Sequence, residues 1–504
     1  MRRLHSGGRI DRTRPLRFSF DGAELLGYQG DTLASALLAN GRIEVGASIH
    51  RGRPRGILTA DGTEPNAVVR VLGAGQEPML PATEVELCEG LAAESLSGAG
   101  RLGGEVHDET YVDADVLVVG AGPAGLAAAL AAGRSGARVV LVDQGRELGG
   151  ALLDGAEQID GRPATAWISR AVREFVETTE LRVLTRATAV SCSDRNHVLI
   201  AQRRGSGSRL WHVRAQRVVL ATGAQERPMV FADNDRPGIM LASAVRRYLK
   251  RHAVLPGNEI VVATTSDSAY LTALDLMAAD ARVHAVVDTR PQPPEHLAAR
   301  VRAAGAHVYA GAAVVGTTGE RRVASVRVAE IDDGSITGDV REIACDLLAV
   351  SGGWNPAVQL HCQSGGSLRW DGIVAGFVPE DGPAKVIGAA RGTYDLAGCL
   401  AQGLAAGAAA ATASGFRVAA PPVPPVSGDR TPARPRPLWI TPGESGDPSQ
   451  WHDHFVDLQR DFTVADVWRT IGAGAVEQVK HCTTIGNPLG STVDVSAQEE
   501  FRAS

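Results

Sequence analysis

A chain of 504 residues, 44% apolar and 21% charged, has the composition of a folded protein too long for one hydrophobic core, so roughly two to four domains are expected. A formal net charge of −6 gives no electrostatic reason to expect a nucleic-acid partner. The six cysteines form no CxxC pair, which argues against a zinc knuckle or a dithiol redox site and fits a reducing, cytoplasmic setting.

In chain order, Met1–Phe20 is Arg-rich and lacks the apolar core of a secretory signal. Residues 1–90 alternate in short patterns: Arg17–Phe20, a turn at Asp21-Gly22, then Glu24–Tyr28. One helix is expected at Asp31–Ala39, with Asp31 or Thr32 as its N-cap. Residues 91–111 are Gly/Ser-rich and then acidic, and read as a linker. From Asp115 to Gly415 strands and helices alternate, which argues for parallel sheets. Within that region Leu400–Ala411 is apolar but short, reading as a buried helix, and no apolar run suffices to cross a bilayer. Ala419–Ser449 contains PPVPP and ARPRP, an extended Pro-rich connector. The tail, Trp451–Ser504, shows helical patterns around Val464–Ile471 and Ala475–Lys480.

The strongest local signal is a βαβ unit. Asp115–Val119 is a β-branched strand that runs into Gly120-Ala121-Gly122-Pro123-Ala124-Gly125 and a small-residue helix, Leu126–Ser135. Arg138–Val142 is the next strand, closed by Asp143. Gly120 permits the tight turn, Gly122 lets backbone approach a pyrophosphate on the helix N-terminus, and Gly125 allows close helix–strand packing. Asp143 is placed to accept hydrogen bonds from adenosine ribose hydroxyls, and its charge disfavours a 2′-phosphate, so NAD or FAD is expected over NADP. The chain therefore holds an adenine dinucleotide and works in redox chemistry. A second unit has its strand at Glu259–Ala263, its helix at Ala269–Ala279 and its next strand at Arg282–Val287, ending at Asp288. Its turn, Thr264-Thr265-Ser266-Asp267-Ser268, has no glycine, so a pyrophosphate cannot come close and Asp267 would repel it. One nucleotide site is expected in this stretch.

Three further segments support a larger pattern. Glu147-Leu148-Gly149-Gly150-Ala151 follows the first unit. Arg217–Leu220 ends in Ala221-Thr222-Gly223-Ala224, and Lys385–Ile387 leads through Gly388-Ala389-Ala390-Arg391-Gly392 into a helix at Leu396–Ala411. These resemble the markers of the two-dinucleotide-binding (glutathione-reductase-like) flavoprotein fold. In that fold an acidic residue usually follows the last glycine; here Ala389 or Ala390 stands there, against ordinary flavin ribityl contacts.

With these parts in order the chain resembles the alpha subunit of heterotetrameric sarcosine oxidase, over about Gly8 to Thr484. Gly7–Arg12, Tyr28–Gly41, Arg53–Ile57, Glu226–Gly238 and Phe455–Val464 are the most specific stretches. Related subunits occur in hydrogen cyanide synthase and dye-linked proline or opine dehydrogenases. The resemblance implies an α/β flavoprotein fold with an N-terminal ferredoxin-like α+β domain at 1–95 and a linker at 96–112. A dinucleotide-binding domain follows at 113–418, with the second unit nested at about 253–345. A Pro-rich linker, 419–450, leads to a small helical C-terminal domain, 451–504. It implies a cofactor site at Gly120, Gly122, Ala124, Gly125, Asp143, Gln144, Gly150, Ala151, Val190, Thr222, Gly223, Ala390, Gly392 and Leu396, holding NAD in a structural role or FAD.

In that family a beta subunit carries FAD and oxidises the secondary amine, FMN lies at the alpha–beta interface, and small gamma and delta subunits complete the complex. The expected reaction is oxidative demethylation of sarcosine to glycine with hydrogen peroxide formation, in the cytoplasm, with no membrane. The alternatives are the alpha subunit of a folate-independent opine- or proline-type dehydrogenase and a non-catalytic nucleotide-holding scaffold. The chain stops at Ser504, before the family's folate-binding aminomethyltransferase-like domain, so it is either a shortened alpha subunit or part of a complex without folate coupling.

Cluster-bearing relatives place cysteines at C-x4-C-x2-C after the segment matching Arg53–Ile57. Those positions are Thr59, Glu64 and Ala67, so no cluster is expected. Asp457, Gln459 and Asn487–Ser491 occupy the tail regions where some relatives carry cysteine pairs, with Cys482 alone nearby. No catalytic set and no metal site is assigned. Trp451-His452-Asp453-His454 reads as an exposed linker end, His361-Cys362 as a weak nucleophile candidate, and Arg51–Arg55 as a phosphate or partner contact or a solvated basic turn.

Overall fold

The computed structural model describes residues 2–73, 79–96, 107–178, 180–204, 207–332, 334–419, 422–428, 432–443 and 445–471. The helix expected at Ala475–Lys480, Cys482 and Asn487–Ser491 lie outside them. The chain divides into two compact units. One gathers Met1–Gly103, Glu226–Gly353 and Ala433–Ser504; the other gathers Gly104–Gln225 and Trp354–Pro432.

In the first unit a five-stranded sheet runs in the order Ala23–Gln29, Asp11–Phe20, Leu91–Ser95, Val68–Leu72, Leu80–Pro81. Leu33–Ala39 is the helix, capped by Thr32, whose hydroxyl accepts from Ser35 N–H. So short a helix is marginal alone. Its buried Leu33, Leu37 and Leu38 supply the stability, each contributing about 1.5–3 kcal/mol against the core of Phe18, Phe20 and Val69. The N-terminal strand Arg2–Arg3 pairs with Val254–Leu255, and Arg3 donates to the buried Asp31 at 2.8 Å. Burial alone would raise the Asp31 pKa, but hydrogen bonds from His252 and Arg3 hold it down at about 2.

The same unit holds a parallel sheet in the order Ile239–Leu241, Leu347–Ser351, Glu259–Thr264, Arg282–Asp288, His307–Ala310. Its central strands are buried on both faces, as their β-branched runs require. Helices at Ala242–His252, Ser268–Ala278 and Glu295–Ala303 pack with it. A three-stranded antiparallel sheet follows at Ala312–Thr318, Ser325–Asp332 and Ser335–Ala344.

In the second unit the sheet order is Leu181–Leu184, Val139–Val142, His107–Val119, Gly207–Leu220, His197–Arg204, Ala187–Ser193, with Lys385–Val386 beside Gly207–Leu220. Two strands run longer than their apolar cores suggest. Their polar halves, residues 107–114 and 207–215, pair with each other, and backbone pairing extends a strand past its apolar pattern. Leu396–Ala413 also extends beyond the apolar run Leu400–Ala411, to 18 residues, and is apolar enough by length and composition to cross a membrane. Its packing is that of a core helix. A Cβ at Gly403 or Gly407 would overlap the carbonyl oxygens of Ala124 and Ala128, so the helices Leu396–Ala413 and Pro123–Gly133 cross with backbones in near contact.

Candidate nucleotide site

The strand His107–Val119 delivers the chain into the Gly120–Gly125 turn. Gly120 has φ +97°, and a Cβ there would overlap the carbonyl of Ala221. A Cβ on Gly125 would overlap the carbonyl oxygen of Gly120. Only glycine fits either place. Gly122 caps the helix Pro123–Gly133 and faces open space, with no atom within 4 Å of a Cβ placed there. That is the geometry a pyrophosphate needs: free N–H groups at a helix start and no side chain in the way.

Asp143 stands at the end of the neighbouring strand. One carboxylate oxygen accepts from Ala121 N–H and the other from Gly145 N–H, both at 2.7 Å. These bonds orient the carboxylate beside the turn. Gln144 and Ala151 are exposed beside it. Gly149 donates to Ala121 O at 2.9 Å, and a Cβ on Gly150 would stand 2.9 Å from Gly122 Cα, so the Gly149-Gly150 segment leans directly on the turn. Ala221 donates to Val119 O, and the Thr222 hydroxyl donates to Ala357 O at 2.6 Å, with Gly223 at φ +80° in open space. Gly388 presses on Ala124, Ala390 is fully buried, Gly392 has φ +84°, and Leu396 is buried at the start of the helix that Asp395 caps. Val190 lies on Ala187–Ser193 at a bulge and is 48% exposed.

Sequence reading missed Asp395, Gly403 and Gly407. The spacing of the last two, small residues one helical turn apart, is the signal that would have found them.

The second βαβ turn has the opposite character. Asp288, at the strand end where an acid would meet a ribose, is fully buried. It is held by Arg290 at 2.8 Å and by the Tyr270 hydroxyl at 2.9 Å. Arg290 also pairs with Asp267 of the turn at 2.6 Å. The connector then lies over both strand ends. Ala433 N–H donates to Asp267, Arg436 N–H donates to Thr265 O at 3.2 Å, and Arg436 and Thr289 exchange two bonds. The places of pyrophosphate and ribose are filled by the chain's own atoms.

Other candidates resolve into structure. Burial raises the Cys362 thiol pKa, which works against a nucleophilic thiolate, and the buried His361 ring faces Ser367 O at 3.1 Å. His454, read as part of an exposed linker end, is instead buried, bonded to Asp453 at 2.7 Å and stacked on Trp451. Arg55 is buried and Arg53 is partly exposed, and both are committed to acidic partners. Arg53 pairs with Asp233 and Asp235, Arg55 pairs with Asp235 and Asp461, and both lie over the Phe455 ring. Among the described residues no group of three His, Cys, Asp or Glu could hold a metal ion.

Residues 114–376 match the pyridine nucleotide-disulphide oxidoreductase family, and residues 13–98 match a 2Fe-2S iron-sulfur cluster binding domain. The chain is 46% identical to sarcosine oxidase subunit alpha of Corynebacterium sp. (strain P-1), over 97% of this chain and 53% of that protein. It is 38% identical to the same subunit of Rhizobium meliloti (strain 1021), over 96% of this chain and 54% of that one. The resemblance read from the sequence therefore stands, and the chain spans about half the length of these relatives. L-proline dehydrogenase from P. horikoshii shares the fold, with a TM-score of 0.68 at 20% identity over 94% of this chain and 88% of that one. The expected dinucleotide-binding flavoprotein fold behind a ferredoxin-like domain is the fold present.

Proposed function

The chain belongs to the pyridine nucleotide-disulphide oxidoreductase family, and from that premise we propose that it is the alpha-type subunit of an amine-oxidising complex resembling sarcosine oxidase. In this reading the chain holds NAD in the Gly120–Asp143 site as a structural ligand. A beta subunit carries FAD and the amine site, FMN lies at the interface, small gamma and delta subunits complete the assembly, and the complex is cytoplasmic. The net reaction takes sarcosine to glycine and passes its electrons to oxygen, giving hydrogen peroxide.

One observation carries the proposal: among the described residues, one unit has an open nucleotide turn, and the corresponding turn of the other unit is filled from within. A self-sufficient reductase needs two such sites, one for a flavin and one for a pyridine nucleotide donor. In the open site Gly120, Gly122 and Gly125 would cradle the pyrophosphate, and Asp143 would accept from the adenosine ribose. Ala390 in place of an acid disfavours a flavin ribityl chain there, and Asp143 disfavours a 2′-phosphate.

A second reading is a nucleotide-holding scaffold that only organises its partner; the raised pKa of the Cys362 thiol, which works against the nucleophile read from the sequence, favours it. Nucleotide at a hundred times its dissociation constant adds about 2.7 kcal/mol of stability, enough for that role.

The test is to purify the chain alone, release its ligand with acid, and identify it by absorbance and mass. NAD without flavin is the expected result. Tightly bound FAD together with NADH-driven dye reduction would overturn the proposal. Co-expression with a FAD-containing beta chain separates subunit from scaffold: amine oxidation that collapses when the Gly120–Gly125 site is disrupted, with the complex still assembled, speaks against a merely organising role.

A further inference from the structure

The N-terminal match is to a domain that binds a [2Fe–2S] cluster. Such a cluster is held by four cysteine thiolates, with C-x4-C-x2-C as the plant-type spacing for three of them. Residues 13–98 contain one cysteine, Cys88, and it is exposed. Thr59, Glu64 and Ala67 fall at that spacing and offer no thiol. The cluster does not fit this chain.

The same three residues are nonetheless drawn together. The Glu64 side chain is 3% exposed. One of its carboxylate oxygens accepts from Leu58 N–H at 3.0 Å and Thr59 N–H at 2.6 Å. The other accepts from Asn66 N–H at 2.9 Å and Ala67 N–H at 3.0 Å. Burial raises the Glu64 pKa and the backbone donors oppose that rise; four donors converge on one carboxylate, and the acceptor-only anion is the form that matches them. Backbone N–H groups turned into a concavity in this way form an anion nest, the arrangement that surrounds many phosphates and iron–sulfur clusters. The carbonyls of the same loop point the other way and are bound in turn. Leu58 O accepts from Leu241 N–H, Thr59 O from the Tyr248 hydroxyl at 2.9 Å, and Asp61 O from the Thr83 hydroxyl at 2.6 Å. The loop is thus fixed on both sides, inward to Glu64 and outward to its neighbours.

We propose that the Glu64 carboxylate is the resident anion of a cluster-type nest, taking the electrostatic place of the cluster, so that this domain keeps its fold and its docking loop without metal. The inference does not depend on the reaction the complex performs.

The full chain, purified from iron-supplemented cells, is expected to contain background iron and acid-labile sulfide, with a thermal midpoint that chelators leave unchanged. Glu64→Ala leaves four buried N–H groups without an acceptor and lowers the midpoint by about 5–10 °C. Adding iron and sulfide does not restore it. Glu64→Asp keeps the charge on a shorter stem, so the chain folds but the amides of Thr59 and Ala67 exchange with solvent at least about tenfold faster. That variant decides the matter if Glu64→Ala yields no folded protein. Stoichiometric iron and sulfide in the parent, a Glu64→Ala chain as stable as the parent, or unchanged amide exchange in Glu64→Asp would each overturn the proposal.

Discussion

The two βαβ units share a topology and differ in what meets the acid at the end of the second strand. Asp143 accepts from the backbone N–H groups of Ala121 and Gly145 beside a turn that no side chain covers at Gly122. Asp288 is held by Arg290 and Tyr270, and the connector lies over the strand ends beside it. A dinucleotide fold is therefore a frame rather than a site. The frame binds when glycine and backbone donors are left facing outward, and becomes packing when charged side chains of the same chain fill that space.

Four substitutions test this contrast. The largest effect is expected from Gly125→Val, whose side chain collides with the Gly120 carbonyl. Nucleotide retained by the purified chain should fall below about a tenth of the parent's, as mass spectrometry of the acid extract would reveal. Retention of a full equivalent would show that the cofactor sits elsewhere. Arg290→Ala strands a fully buried carboxylate and should cost about 3–5 kcal/mol in denaturant unfolding, with no gain of nucleotide. A second equivalent of bound nucleotide in that variant would mean the groove was merely gated. Asp143→Ala removes the ribose acceptor and should speed nucleotide loss by about 10–100-fold, read by fluorescence during dilution; unchanged loss would place the ribose away from Asp143. Smallest is Asp267→Gly. It removes the repelling charge and the Ala433 bond from the second turn, but the Arg436 bonds to Thr265 and Thr289 and the Arg290–Asp288 pair remain. Titration calorimetry should detect neither NADH nor NADPH binding to the second unit, and stability should drop by about 1–2 kcal/mol. Micromolar binding would break the comparison.

What the sequence made legible is what short spacing encodes. The Gly120–Gly125 run, the acid after it and the glycine-free Thr264–Ser268 turn are local patterns whose steric meaning needs no partner. Arg290 lies two residues from Asp288, yet its role is invisible in a string, because pairing depends on both side chains turning to one face. The connector is harder still: Arg436 meets Thr289 across 147 residues, and Arg55 meets Asp461 across 406. Arginines at 53 and 55 read as a surface turn because their acidic partners are remote. His454 read as exposed because polar neighbours surround it in sequence, whereas in space Ala232 pairs with it and Trp451 stacks on it.

The crossing of Pro123–Gly133 and Leu396–Ala413 bears on how the protein is made. The helix that follows the Gly120–Gly125 turn packs on a helix, Leu396–Ala413, that is synthesised long after the turn itself, through Gly403 and Gly407 in near contact with Ala124 and Ala128. During translation the Gly120–Gly125 loop is made before its buttress, and the turn is finished only once Leu396–Ala413 has been synthesised. Retention of a ligand at this turn would thus report that the later helix has packed. A ribosome stalled before residue 396 would display a nucleotide motif intact in its own sequence and unable to keep its ligand.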